Sequence, residues 1–279
     1  MTSTPGIASF PEMKILHINN FRRVYGTEKY VNQIIDYLNR RGHENRLYIQ
    51  EWTRADNGFK ALMHTRTNLK KLSRIIDTFD PDVIHVHNIV NFKLLKYLLK
   101  QRPCMKSLHD YRPFCLKVQM RQDTFEICGR RLSSECFRAG CFPRTLAGYY
   151  RYAADWLSTR IIPQFPRVWV MSRYMENYMK PVIRGPGQLE MVHYFYDPLP
   201  EEPPPAPEER RIFSAGRLDP EKGYDRLIRA MANVPKPYEL KIAGEGVEKA
   251  KLAALAESLG VDVDFIGYIP NESLHEWYR

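Results

Sequence analysis

Apolar residues recur along the chain with two periods. Lys14 to Asn19 (KILHIN) is a short apolar run that reads as a strand. Val31, Ile34, Ile35 and Leu38 then fall at i, i+3, i+4 and i+7, one stripe of an amphipathic helix that Gly42 closes. Asn45 to Gln50 returns as strand. A helix over 66–78, a strand over Val83 to His87, a helix over 91–101 and a strand over Cys104 to Leu108 continue the alternation. Val168 to Met171 makes a further buried strand, and Met175 to Met179 starts another helix. Beyond residue 210 the pattern resumes with a strand over Arg211 to Ala215. Asp219 is a good N-cap with Pro220 at the first helical position, ahead of the stripe Tyr224, Leu227, Ile228 and Met231. A strand over Glu239 to Ala243 and a stripe of Leu252, Leu255, Ala256 and Leu259 follow. Gly260 stops that helix, and Val261 to Ile266 is strand again.

Strands alternating with helices predict an α/β protein whose parallel sheets are doubly wound, with ligands at the carboxyl ends of the strands. Residues 197–210 interrupt the pattern with six prolines, an extended, semi-rigid linker. The expected organisation is therefore a domain over 1–196, a linker over 197–210 and a second α/β unit over 211–279. That second unit supplies three strands where doubly wound domains have about five or six. It reads as a truncated domain, ending at Glu276 to Arg279 in the first turns of a helix.

Composition narrows the class. With 279 residues, 44% hydrophobic and 27% charged, the chain can bury a core, which excludes whole-chain disorder. No stretch approaches the roughly 18 apolar residues of a membrane span. Residues 1–12 have neither the positive start nor the apolar run of a secretion signal, so a cytoplasmic location is expected. The net charge of +10 is unevenly placed: residues 1–196 hold 31 basic against 16 acidic residues, or +15, and the remainder 11 against 16, or −5. The first part favours an anionic partner such as phosphate, acidic lipid or nucleic acid, while for net charge alone plain solubility is the safer explanation. No nucleic-acid-binding module is recognisable, and the basic residues are not interleaved with stacking aromatics on a strand, so nucleic acid ranks last.

The sharpest chemical signal is Gly216-Arg217-Leu218-Asp219-Pro220-Glu221-Lys222-Gly223, between a strand and a helix. A helix N-terminus, an Arg and a Lys converge there, a setting that suits an anion. An ordinary capped helix with solvated charges stays open beside that reading.

GRLDPEKGYDRLIRAM resembles the signature GRLxxEKGxDxLIxA of the family 4 retaining glycosyltransferases, which have the GT-B fold of two Rossmann-type domains. The likeness covers nearly the whole chain. KILHINNF with Gly26-Thr27-Glu28 and RRGHE resembles the family's opening strand, glycine loop and first helix. PDVIHVHN, SLHDY, VWVMSRYM and IAGEGVEKAKLAALAESLGVDVDFIGYIP follow in the family's order. The resemblance implies transfer of a sugar from a nucleotide-diphosphate-sugar to a saccharide or lipid-linked acceptor, in surface polysaccharide or glycoconjugate synthesis, with no metal required. It implies that Arg217 and Lys222 bind the donor diphosphate and that Gly26 lets a loop approach it. His109 would face the transferred sugar as the catalytic position, and Tyr268 and Ile269 would offer backbone groups to the nucleobase. Two departures stand out. Tyr25 precedes Gly26 where the family usually pairs glycines, and the family's acidic motif, two glutamates separated by seven residues, would lie past Arg279. A non-catalytic remnant that binds a nucleotide or a partner is the alternative.

Two further features stay open. Cys115, Cys128, Cys136 and Cys141 cluster in a loop over 111–143 at a spacing that either a structural zinc ion or independent reduced thiols would fit. Lys93, Lys96 and Lys100 lie on one helical face opposite Leu94, Leu95, Leu98 and Leu99. A sheet-packed helix explains this, and peripheral attachment to the inner face of an anionic membrane becomes reasonable with the +15 domain and a lipid-linked acceptor.

Overall fold

A computed structural model describes residues 11–20, 26–50, 59–115, 128–194, 211–270 and 273–278. The chain divides into two compact units, Met1–Tyr196 and Asp197–Arg279. The proline-rich stretch 197–210 lies outside the described residues, as does Tyr25.

In the first unit the strands are β1 (Lys14–Asn19), β2 (Glu44–Ile49), β3 (Val83–Val86), β4 (Cys104–Leu108), β5 (Arg167–Val170) and β6 (Leu189–Met191). They form one parallel sheet in the order β2-β1-β3-β4-β5-β6. The helices are α1 (Gly26–Asn39), α2 (Phe59–Phe79), α3 (Phe92–Leu98), α4 (Glu135–Arg138), α5 (Leu146–Ile161) and α6 (Arg173–Met179). Because side chains alternate across a strand, one face of the sheet carries Leu16, Ile18, Ile84, Val86, Val168 and Val170 into the main core. Leu72, Ile76 and Phe79 of α2 and Leu94, Leu95 and Leu98 of α3 pack into the same core. A smaller cluster of Tyr30 and Ile34 from α1 with Met171 lies apart from it.

The second unit is a three-stranded parallel sheet, β7 (Arg211–Ala215), β8 (Glu239–Ala243) and β9 (Val263–Gly267), in that order. α7 (Tyr224–Met231) and α8 (Lys249–Ser258) cover it through Tyr224, Ile228, Leu252 and Ala256. A short α9 (Leu274–Trp277) follows, and Trp277 stacks on Phe213 of β7 at 5.5 Å.

The structure differs from the sequence pattern at five points. α2 starts seven residues earlier than the stripe predicts. α4, α5 and β6 have no counterpart in the expected elements. Asp219 does not cap α7: it heads a separate 3-10 turn, Pro220–Lys222, and its side chain makes no capping bond. Gly223, at φ 70°, ends that turn, and α7 starts after it. Proline suits the first position of either helix type, so the cap signal was real but marked the smaller element.

Candidate active site

The strand order of the first unit reverses between β1 and β3, and open α/β sheets bind ligands beyond the carboxyl ends of the strands at that point. Alternation places His17 of β1, His85 of β3, and His87 and His109 beyond β3 and β4 on the sheet face opposite the main apolar core. His17 and His85 are direct partners across the sheet.

Their ring nitrogens form a chain. His17 Nε2 lies 3.0 Å from Asn45 Oδ1, His17 Nδ1 3.2 Å from His87 Nε2, His87 Nδ1 3.1 Å from His109 Nε2, and His109 Nδ1 3.1 Å from the Tyr194 hydroxyl. The direction of every link follows from one end. Asn45 Nδ2 donates to Asn39 Oδ1 at 2.8 Å and to the His43 carbonyl at 3.1 Å, which leaves Oδ1 to accept. His17 must therefore carry its proton on Nε2 and accept on Nδ1. The same logic makes His87 and His109 Nε2–H tautomers, and Tyr194 donates its hydroxyl proton to His109. His85 bonds Ser107 Oγ at 2.7 Å.

Burial keeps these rings neutral. It lowers His17 to about 4, against a smaller opposing effect of the Asn45 bond. It lowers His109 to about 3, helped by Lys106 and opposed by Asp110. His85 and His87 are lowered first by burial and then by the neighbouring histidines and Lys106. Lys106 is itself fully buried, donates to the carbonyls of His87 and Ser107, and is pushed down to about 7 by burial. Asp110, next to His109, is taken up by Arg112 through contacts of 2.5 and 2.9 Å.

In the second unit the candidate site is the loop from β7 to α7. Arg217 is exposed and held by two carboxylates, Asp219 at 2.5 Å and Glu221 at 2.9 Å. Exposed ion pairs of this kind exchange at little cost. Lys222 is also exposed, at the end of the 3-10 turn. The loop after β8 holds this segment in place by backbone contacts. Gly216 N–H donates to the Ala243 carbonyl at 2.9 Å, Leu218 N–H to Glu245 at 3.0 Å, and Glu248 N–H to Leu218 at 3.0 Å. The approach is so close that a Cβ on Gly244 would sit 1.9 Å from the Gly216 carbonyl oxygen, and one on Gly246 2.3 Å from that of Leu218.

Comparison with known proteins then decides the family. The family model described as Glycosyltransferase Family 4 matches residues 24–198, and the one described as Glycosyl transferases group 1 matches residues 197–279. The chain belongs to Glycosyltransferase Family 4. No curated protein matches it. HepE of Anabaena, solved with UDP and glucose, is similar at 15% identity and TM-score 0.55 over 93% of this chain and 70% of its own. The lipopolysaccharide outer core galactosyltransferase WaaB is similar at 13% identity and TM-score 0.58, over 95% and 71%. Sucrose-phosphate synthase of Thermosynechococcus elongatus is similar at 16% identity and TM-score 0.61, over 96% and 73%. This glycosyltransferase thus has the GT-B fold, with the second domain incomplete.

Within the first unit of the glycosyltransferase, His109 is tied into the histidine chain and Gly26 opens α1, exposed and with none of the described residues within 4 Å of where a Cβ would stand. Within the second, Arg217 and Lys222 share one loop. Tyr268 and Ile269 follow β9, with Tyr268 largely exposed. No disulfide links the cysteines among the described residues. Among the described residues, the group whose ligand atoms come within reach of one ion is His17, His85 and His87 rather than any set of cysteines. Hydrogen bonds already engage those ring nitrogens, and buried Lys106 lies beside them. Leu94, Leu95 and Leu98 are buried in the core, so α3 leaves Lys93 and Lys96 exposed, with Lys100 exposed just after it. The sheet-packed explanation holds for that helix. No helix among the described residues is long and apolar enough to cross a membrane.

His17, His85, His87, Lys106, Gly244 and Gly246 are not among the residues expected from the sequence. A signal existed for most of them: His85-Val86-His87 places two histidines on one strand face by its period of two, and AGEG after a strand marks a close backbone approach.

Proposed function

We propose that this glycosyltransferase moves a sugar from a nucleotide-diphosphate donor to a saccharide or lipid-linked acceptor with retention of configuration, in surface polysaccharide or glycoconjugate synthesis. The observation that carries the reading is the loop from β7 to α7, pinned to the loop after β8 while Arg217 and Lys222 project to solvent. Arg217 spends two contacts on Asp219 and Glu221, and a guanidinium has five N–H donors, so it can grip diphosphate oxygens bidentately. Lys222 adds a point charge. As the bond between sugar and diphosphate breaks, negative charge grows on the leaving phosphate, and cations already in place lower the barrier without a metal ion. Gly26 allows a phosphate or sugar close to the start of α1, and the backbone at Tyr268 and Ile269 meets the base. UDP, which HepE holds, is the first nucleotide to try.

His109 then works as a neutral acceptor. Its Nδ1 lone pair is directed at the Tyr194 hydroxyl, and a sugar hydroxyl arriving at the carboxyl end of β4 can take that place. With its basicity held down at about 3, His109 positions that hydroxyl without adding a cation or serving as an acid. A lipid-linked acceptor would be met by peripheral attachment to the inner face of an anionic membrane.

Calorimetry with UDP, GDP, ADP and their sugars tests the reading. One of them binds, and Arg217→Ala weakens it by ~30-fold, the ~2 kcal/mol of a lost charge-assisted pair. Unchanged donor affinity in the Arg217→Ala, Lys222→Ala double variant would sink it. The anomeric configuration of the product, read by NMR, tests retention.

A further inference from the structure

Helix α5 is amphipathic in the unusual sense that its apolar side faces outward. Leu146, Tyr149, Tyr150, Trp156, Leu157 and Arg160 are all exposed, Leu146 by 90% and Tyr150 by 59%. At about 100° per residue they fall within an arc of about 120°, one continuous stripe along the helix. The rest of its circumference is the anchored side, with Gly148 and Ser158 opposite the stripe and Ile161 at its edge. Ser158 is buried and donates to the Val90 carbonyl at 2.5 Å, Ile161 enters the core, and Gly148 lies against Pro143 so closely that a Cβ would meet its carbonyl oxygen at 1.9 Å. The helix cannot roll its apolar stripe inward without breaking these contacts.

We infer that this stripe docks on the surface of an anionic lipid bilayer. Composition and charge favour that occupant over a protein. Tyr150 and Trp156, and Tyr149 with one face of its ring stacked on Phe137, have an apolar body and a polar tip, the side chains that gather where hydrocarbon meets headgroups. The guanidinium of Arg160 sits 3.9 Å over the ring of Trp156, and Arg144 and Arg151 are exposed near the same helix. The only acidic residue of α5, Asp155, is not among the exposed ones. α3 packs beside α5 and exposes Lys93 and Lys96, and Lys100 is exposed just beyond it. Apolar insertion and phosphate-seeking cations therefore come together in a unit whose sequence carries +15. The inference deepens the membrane part of the proposed function and is independent of donor chemistry.

Flotation of the whole chain with vesicles tests it, comparing phosphatidylcholine alone with an equimolar mixture of phosphatidylcholine and phosphatidylglycerol. The protein floats with the anionic vesicles, less so as salt rises. Tyr150→Ser, Leu157→Ser reduces partition at least tenfold, and Arg144→Gln, Arg160→Gln reduces it at low salt. Both variants change exposed side chains and should keep the wild-type melting temperature. Brominated acyl chains quench the wild-type tryptophan emission, and that quenching is lost in Trp156→Phe, a readout that needs no disruptive substitution. Absence of flotation, or equal flotation of the Tyr150→Ser, Leu157→Ser variant, overturns the inference. So does a dimer in sedimentation velocity that the same variant dissociates, since a second copy would then cover the stripe. UDP calorimetry on that variant separates the two proposals, because donor binding should be untouched whichever way the vesicles behave.

Discussion

At the scale of single residues, the chain from Tyr194 to Asn45 has one direction, and it ends on an amide. An amide oxygen takes a proton only at great cost, so the chain does not pass protons on; it fixes which nitrogen of each ring is protonated. Nitrogen-15 NMR of the neutral protein should find His17, His87 and His109 all as Nε2–H tautomers, and an Nδ1–H form of any of them would contradict the geometry. Gly26 offers a second residue-level test. None of the described residues occupies the space its Cβ would enter, and alanine is the better helix former by about 1 kcal/mol, so Gly26→Ala should leave stability equal or slightly raised. If Gly26 admits the donor, the same substitution lowers UDP affinity in calorimetry, and the loss cannot be blamed on misfolding.

At the scale of elements, the segment from β7 to α7 owes its position to the loop after β8 more than to its own cap. Gly244 has φ 139° and its Cβ would collide with the Gly216 carbonyl, so Gly244→Ala should cost more than about 2 kcal/mol in urea unfolding. Gly129 also has positive φ, 62°, but none of the described residues lies within 4 Å of where its Cβ would stand, and Gly129→Ala should cost only about 1 kcal/mol. Equal costs would mean that backbone conformation, not the interlocked loops, sets the penalty. Much of this level is legible in sequence: the stripes of α1, α7 and α8 and the strands β1, β4, β7 and β8 stand where periodicity places them. β6 escapes because three residues carry too little pattern. α5 escapes because its buried side is made of Gly148, Ser158 and Ile161, and its apolar stripe marks a surface instead of a core.

At the scale of the whole molecule, the buried histidines make stability depend on pH. Their ordinary value is near 6.5, while His17 and His109 are lowered to about 4 and about 3 in the fold. Between these limits the unfolded chain binds protons that the folded one does not. Stability therefore rises with pH across that window and is lost as pH falls, by up to about 1.4 kcal/mol per unit for each histidine kept neutral. Lys106 adds the same sign between about 7 and its ordinary 10.5. Thermal unfolding should show a steep drop in melting temperature from about pH 6.5 to about pH 4. A His17→Gln, His109→Gln variant should show a shallower one.

The amino-acid sequence by itself determined the alternating elements, the parallel α/β class, the family, and the loop that carries Arg217 and Lys222. Each of these rests on neighbours along the chain: a strand's period of two, a helix's period of 3.6, a motif of contiguous residues. Only the tertiary structure decided which strands lie side by side, and so that His17, His85, His87 and His109, far apart in sequence, meet on one sheet face. It also decided which stripe is covered. α3 and α5 are both amphipathic, yet the leucines of α3 meet the core while Leu146, Tyr150, Trp156 and Leu157 of α5 meet solvent. Periodicity defines a face, and what that face touches depends on contacts between segments distant in the chain.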